Sequence, residues 1–376
     1  MIERILEKKL ISKFYKGKTI LILGPRQVGK TTLLKKIASN LKAVLWLNAD
    51  NFEIQSLFEV ASSTRFKLIV KNYKVVIIDE AQSIKNIGLK LKIIADEIKD
   101  VQIIATGSSA FDLANELNEP LTGRKYEFQM YPISFEEMVN YSSLLEELNL
   151  LSHRIIYGYY PDVVINQEEE KDLLKLLADS YLFKDILIWN KIKKSDKIIK
   201  LLQALSFQIG NQVSYNNLGN LIGLDSETVE RYIILLEKSF IIYRLNSYSK
   251  NLRSELKKSR KIYFTDNGIR NAVIGNYSAV NMRNDVGSLW ENYIISERIK
   301  FTNYHNVYVN RYFWRTKTQQ EIDYIEEIDG KLFAYEFKWS PHKKAKISRT
   351  FTNAYPNAIV KIITPENFEE FITHQE

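Results

Sequence analysis

Between residues 18 and 110 the chain alternates short apolar runs with amphipathic stretches. "KTILILG" (18–24), "AVLWLN" (43–48), "KVVIIDE" (74–80) and "VQIIATG" (101–107) are continuous apolar runs of strand length. "KTTLLKKIASNL" and "GLKLKIIADEIKD", between them, carry the period of a helix. Strands apolar on both faces and separated by helices predict a parallel sheet covered on both sides, an α/β architecture. Residues 151–209 read as helical. From there "VSYNNLGNLIGLDSETVERYIILLEKSFIIYRL" reads helix, tight turn, helix and strand, the order of a winged helix-turn-helix, with Asp225 or Ser226 capping the second helix. After residue 282 the pattern becomes helix, strand, hairpin, strand. These changes predict three parts: 1–150, 151–255 and 256–376.

The hairpin can be registered from its turn. Asp329-Gly330 in "EEIDGKLF" is a two-residue turn signal, so Ile328 should face Lys331. Counting outwards sets Asp323 opposite Glu336 and Glu321 opposite Lys338. One face then carries Glu321, Asp323 and Ile325 against Lys338, Glu336 and Ala334. The other carries Ile322 and Tyr324 against Phe337, Tyr335 and Phe333, an apolar surface fit for a core. Facing carboxylates destabilise a strand pair unless a positive charge neutralises them. Lys338 is one candidate charge and a divalent cation is another, since oxygen-rich sites suit Mg2+ or Mn2+. Glu291, between Ile294 and Ile295 on its helix face, lies nearer the apolar side than a solvated glutamate needs to be.

Composition narrows the setting. With 376 residues and 45% hydrophobic positions, the chain can bury two or three cores. It has no cysteine, which removes disulfides and thiolate zinc sites. It shows no membrane-length apolar run and no signal peptide, so a soluble, cytoplasmic protein is expected. The formal charge of +8 suggests an anionic partner such as DNA. Basic runs at 191–200, 250–261 and 342–349 all fall in the C-terminal half. The second helix of the helix-turn-helix segment holds Glu227, Glu230 and Glu237 against Arg231 and Lys238, which argues against base reading by that helix. The stretch 250–261 is the better expected contact.

The clearest chemistry is in "GPRQVGKT" (24–31), which fits G-x-x-x-x-G-K-[ST] between a strand and a helix. Gly24, Pro25, Arg26, Gln27, Val28 and Gly29 would wrap phosphates with backbone N–H groups at a helix N-terminus. Lys30 would reach the β- and γ-phosphates, and Thr31, followed by Thr32, would ligate Mg2+. Asp79 ends the strand "VVIID" and would hold the metal's water shell. Glu80 beside it would orient or deprotonate the attacking water. Thr106 or Ser108, in "TGSS", could contact that water or the γ-phosphate. No "NKxD"-like base-reading element is evident, which favours ATP over GTP.

The set "GPRQVGKTTLL", "VVIIDEAQ", "IIATGSS" and "LTGRKYEFQMYPISFEE" resembles the prokaryotic AAA-type (AAA+) P-loop ATPases. More narrowly it resembles a family with a C-terminal domain of unknown function. "GYYPDVV", "YLFKDI", "KIYFTDNGIRNA" and "GSLWENYIISE" extend the likeness over nearly the whole chain. The resemblance implies ATP and Mg2+ as ligands. It also implies an arginine supplied by a neighbouring copy in a homo-oligomer, with Arg124 as the candidate for that or a sensor role and Arg26 as the weaker one. The order Glu291…Asp323…Glu336-x-Lys338 is similar to the PD-(D/E)xK nuclease fold, which includes restriction enzymes and Holliday-junction resolvases. That likeness implies a restriction-endonuclease-like α/β domain, with Glu291, Asp323 and Glu336 holding Mg2+ or Mn2+ and Lys338 assisting. The expected function is an ATPase that switches a DNA-processing module. Its alternative is an ATP-dependent switch that binds DNA or protein through an inactive nuclease-like domain.

Overall fold

A computed structural model describes residues 1–60, 63–108, 121–179, 195–249, 260–340 and 347–374. They divide into two compact units, Met1–Pro132 with Lys238–Phe240, and Ile133–Glu237 with Ile241–Glu376.

The first unit is built on a five-stranded sheet of β1 (Thr19–Leu23), β2 (Val44–Asn48), β3 (Val75–Asp79), β4 (Gln102–Gly107) and β5 (Lys125–Gln129). The order is β2-β3-β4-β1-β5, and every pairing is parallel. β1, β3 and β4 are buried along their whole length, as apolar runs without alternation require. The described helices of this unit are α1 (Leu6–Ile11), α2 (Lys30–Ser39), α3 (Phe52–Val60), α4 (Ser63–Val70) and α5 (Ile87–Glu97). Phe58, Phe66 and Leu91 pack with Leu21, Val76 and Ile103 of the strands. Because β4 lies between β1 and β3, the strand ends at Gly24, Asp79 and Ser108 meet at one carboxyl edge, where open α/β sheets place their ligands.

The second unit holds a seven-stranded sheet of β6 (Gln212–Val213), β7 (Ile242–Ser247), β8 (Arg260–Phe264), β9 (Asn310–Arg315), β10 (Glu321–Ile328), β11 (Lys331–Phe337) and β12 (Ile359–Ile363). Its order is β12-β11-β10-β9-β7-β8-β6. Short helices from Phe135 to Leu177 precede α6 (Ser195–Phe207), α7 (Tyr215–Ile222) and α8 (Ser226–Lys238). Asp225 Oδ1 accepts from the Thr228 N–H at 2.8 Å, so Asp225 and not Ser226 caps α8. α9 (Asn267–Ile274) and α10 (Val286–Tyr304) follow, with α11 (Arg349–Ala354) and α12 (Glu369–Ile372) near the end. α10 is buried on several sides, which is why its sequence lacks a clean polar face.

Two expected boundaries differ from this division. The segment 133–150 belongs with the second unit: the Ile133 N–H donates to Tyr159 O (3.0 Å) and the Phe135 N–H to Glu297 Oε2 (2.8 Å). The break expected at 255/256 falls between β7 and β8, which pair antiparallel, and β7 also pairs in parallel with β9. The parts read as 151–255 and 256–376 therefore share one sheet.

The hairpin register holds where it is a ladder: Ile328 faces Lys331, Ile325 faces Ala334 and Tyr324 faces Tyr335. The face assignment changes at one residue. A register shift against β9 between Ile322 and Ile325 puts Ile322 in the cluster of Ile325, Ala334, Trp314 and Phe351 instead of with Tyr324. A bulge changes the parity of the strand, and it falls on Asp323 and its neighbours.

Candidate functional site

The phosphate loop is shaped by close approach. A Cβ on Gly24 would lie 2.1 Å from Met130 O, so the loop can leave β1 here only with glycine. Gln27 (φ 59°) and Gly29 (φ 93°) adopt left-handed conformations that turn the backbone into the first turn of α2. Lys30, 4% exposed, donates to Gly24 O and Pro25 O, both at 2.8 Å. Arg4, which the sequence reading did not single out, clamps the loop from outside. Its guanidinium donates to Val28 O and Tyr131 O, both at 2.7 Å.

Around this loop the polar groups converge. Asp79 accepts from Thr31 Oγ1 at 2.8 Å and from Thr106 Oγ1 at 2.5 Å. The Glu80 N–H donates to Thr106 Oγ1 (3.0 Å), so Thr106 joins the ends of β3 and β4. Glu80 sits at φ 52°, and Gln82 Nε2 donates to its carboxylate at 2.5 Å. A non-glycine residue held there is strained, and strain of this kind clusters at functional positions. Ser108 Oγ is buried and has no hydrogen-bond partner among the described residues. A hydroxyl, a carboxylate and an unsatisfied buried hydroxyl beside a loop of N–H donors fit a nucleotide with a hard divalent ion. Arg124 is not brought here. Its backbone lies beside Thr19, at the other end of β1, roughly 13 Å of strand away. Its side chain pairs with Asp96 at 2.5 Å.

The second cluster forms where β8, β10, β11 and α10 meet. The Phe337 N–H donates to Asp323 Oδ2 (2.9 Å), so just past the Tyr324–Tyr335 pair a carboxylate takes a backbone donor. Lys338 Nζ lies 2.8 Å from Glu336 and 3.6 Å from Asp323. Burial, then Asp323, then Glu291 push the Glu336 carboxyl up to about 7, although Lys338 pulls it down. Lys338 itself is raised: burial lowers it, but Asp323 and Glu336 outweigh that.

Glu291 joins this cluster through two residues that the sequence reading did not single out. Lys261 Nζ is 3.0 Å from Glu291 Oε1, and Tyr263 OH donates to the same oxygen at 2.5 Å. Lys261 also pairs with Glu321, which in turn meets Arg315 at 3.1 Å. Asn292 fixes the geometry by bonding the Phe264 N–H (2.7 Å) and Phe264 O (2.9 Å), which fastens α10 along β8. Burial first, and Asp323 further, push Glu291 up to about 7 against the pull of Lys261. Among the described residues no group of three or more histidines and carboxylates is arranged to hold a metal ion. Asp323 and Glu336 are the pair whose chemistry fits one, because they crowd together with less positive charge than they need. Glu291 is engaged with Lys261 and Tyr263.

The expected DNA-contacting stretches mostly lie outside the described residues: 191–194, 250–259 and 342–346. Of the run 250–261, Arg260 lies 3.6 Å from Glu230 and Lys261 is buried between carboxylates. On α8, Glu237 pairs with Arg244 at 2.6 Å. Among the described residues no helix is long and apolar enough to cross a membrane.

Comparison with known proteins gives the class of the first unit. Residues 16–139 match an AAA domain, so this part of the chain is a P-loop ATPase domain that binds and hydrolyses ATP. Residues 148–279 and 286–372 match two domains of unknown function (DUF8612 and DUF4143). An uncharacterized protein of Methanocaldococcus jannaschii is 25% identical over 403 residues, covering 98% of this chain and 87% of its own. An uncharacterized protein of Haemophilus influenzae is 27% identical over 280 residues, covering 69% of this chain and 70% of its own. The solved Walker-type ATPase of Pyrococcus abyssi shares the fold, with a TM-score of 0.52 at 14% identity over 73% of this chain and 96% of that one.

Proposed function

We propose that ATP turnover at the phosphate loop switches a C-terminal nuclease-like module that acts on DNA. The observation that carries this reading is the juxtaposition of Asp323, Glu336 and Lys338 at the open end of the β10–β11 hairpin. The surrounding order of helix, three antiparallel strands, helix and a parallel strand supports a restriction-endonuclease-like reading. Mg2+ or Mn2+ at Asp323 and Glu336 would supply an activated water and a Lewis acid for phosphodiester hydrolysis. Lys338 then steadies the negative charge that develops on the phosphate. In the first unit, Lys30 binds the β- and γ-phosphates and Glu80 takes the proton of the attacking water. Thr31 and Asp79 would hold the Mg2+ that neutralises those phosphates. Gln82 and Thr106 hold Glu80 in place, and Ser108 offers its hydroxyl to the γ-phosphate. Arg124 could reach a nucleotide only on another copy, which is the basis for a homo-oligomer. The α6–β6–α7–α8–β7–β8 segment is read as a winged helix, a rigid mount for the carboxylate site more than a reader of bases.

A second reading has its own observation. Glu291 is tied to Lys261 and Tyr263, and a module whose third acid is so engaged could bind DNA or protein without cutting it. One experiment separates the two: incubate the full chain with branched, single-stranded and duplex DNA, with Mg2+ or Mn2+, with and without ATP. Cleavage that Asp323→Ala removes is expected. Binding without cleavage of any of the three substrates overturns the nuclease reading in favour of the second.

A further inference from the structure

The carboxylate cluster contains a cation of the chain's own. Lys261 comes from β8, which is paired on both sides, with Gln212 of β6 and Leu245 of β7. Its side chain is 1% exposed, and its ammonium contacts both Glu291 and Glu321. The Phe313 ring lies beneath it, 5.5 Å from the nitrogen. A lysine so enclosed has nowhere to swing. Lys338 differs: it sits just beyond β11, is 32% exposed, and can move aside when another cation arrives.

We propose that the Lys261 ammonium takes the place of a divalent cation at the Glu291–Glu321 half of the cluster. The site therefore loads metal only at the Asp323–Glu336 half, a point that rests on the reading given above. Two half-buried carboxylates, 13% and 23% exposed, need compensating positive charge; a fixed ammonium in contact with both supplies it, with Arg315 adding to it at Glu321 alone. The same ammonium repels any second cation within a few ångströms, where low polarity magnifies the interaction. It also belongs to a different chain segment from the hairpin. Docking of β8 along α10, through Asn292, thus sets the charge of the site.

The test is a Mn2+ titration of the full chain carrying Asp79→Ala, without nucleotide, so that the phosphate loop contributes no ion. Free Mn2+ is read by electron paramagnetic resonance. Lys261→Met is expected to bind one more Mn2+ than its parent, while Lys261→Arg binds the parent's number. Adding Glu291→Gln and Glu321→Gln to Lys261→Met should abolish the extra ion. An unchanged number in Lys261→Met overturns the proposal. Where Lys261→Met melts too low to titrate, Mn2+ should raise its melting temperature well beyond the parent's rise, and equal rises overturn the proposal. Failure of the Asp323–Glu336 reading looks different: the parent binds no Mn2+, and Lys261→Met binds a single ion.

Discussion

Replacing Glu336, a residue of the proposed catalytic site, with glutamine should make the protein more stable at pH 8. Its carboxyl is lifted from 4.5 to about 7, by burial first and by Asp323 next. A folded-state value above the unfolded one means that the associated stability is fully present below pH 4.5. It is lost as pH rises through about 7. Lifting a carboxyl that far corresponds to roughly 3 kcal/mol, and with a side chain 9% exposed, solvent screening removes little of it. Glutamine mimics the protonated acid, and the pull of Lys338 on the carboxylate is already contained in that figure. The net gain at pH 8 should then be about 3 kcal/mol, or roughly 6–12 °C in melting temperature for a unit of this size. Thermal melts of wild type and Glu336→Gln between pH 4.5 and 8 should diverge as pH rises and converge at the acid end. Millimolar Mn2+ should close the gap at pH 8 by stabilising only the wild type. A Glu336→Gln variant less stable than wild type at pH 8, or a gap independent of pH, refutes the reasoning.

Three predictions concern the nucleotide site. Lys30→Ala should abolish ATP binding, whereas Glu80→Gln should leave the dissociation constant within a few fold and slow hydrolysis by about 100-fold or more; calorimetry and a phosphate-release assay check both, and full turnover by Glu80→Gln rules out its role. Gly24→Ala would place a methyl group 2.1 Å from Met130 O, backbone that cannot step aside. The expected cost is about 3 kcal/mol, with loss of nucleotide binding, read by denaturant unfolding and ATP titration.

What the sequence made legible was local. The phosphate loop, the acidic strand end and the Asp329-Gly330 turn are each contiguous in the chain. Each determines its own geometry through strand period or turn type. The clamp of Arg4 on Val28 and Tyr131 was not legible, because it spans 24 and 127 residues and nothing in "MIERILEKK" marks one arginine as buried. The bulge at Asp323 was hidden for another reason: counting from a turn assumes an unbroken alternation, and the shift arises on the β9 side. In "DEAQ" a glutamine two residues after Glu80 can reach back to its carboxylate, as Gln82 does, and that local spacing is legible in the sequence.

The position of Lys261 shows where such reasoning changes the chemistry. In the sequence it ends a basic run and reads as a contact for an anionic partner. In the fold its strand lies two places from β9, joined through β7, and its side chain points at acids from α10 and β10. The parallel pairing of Asn246 with Tyr312 and Ser247 with Phe313 makes this possible, and no local periodicity announces it. A boundary at 255/256 would separate β7 from β8 and leave the lysine without the strand that holds it against β9. The carboxylate cluster is thus a property of the whole second unit, and its charge is fixed by the helix–strand segment as much as by the hairpin. A change that loosens β8 should alter the cation preference of the site without touching Asp323 or Glu336, because Glu291 and Glu321 would then compete for the same ions.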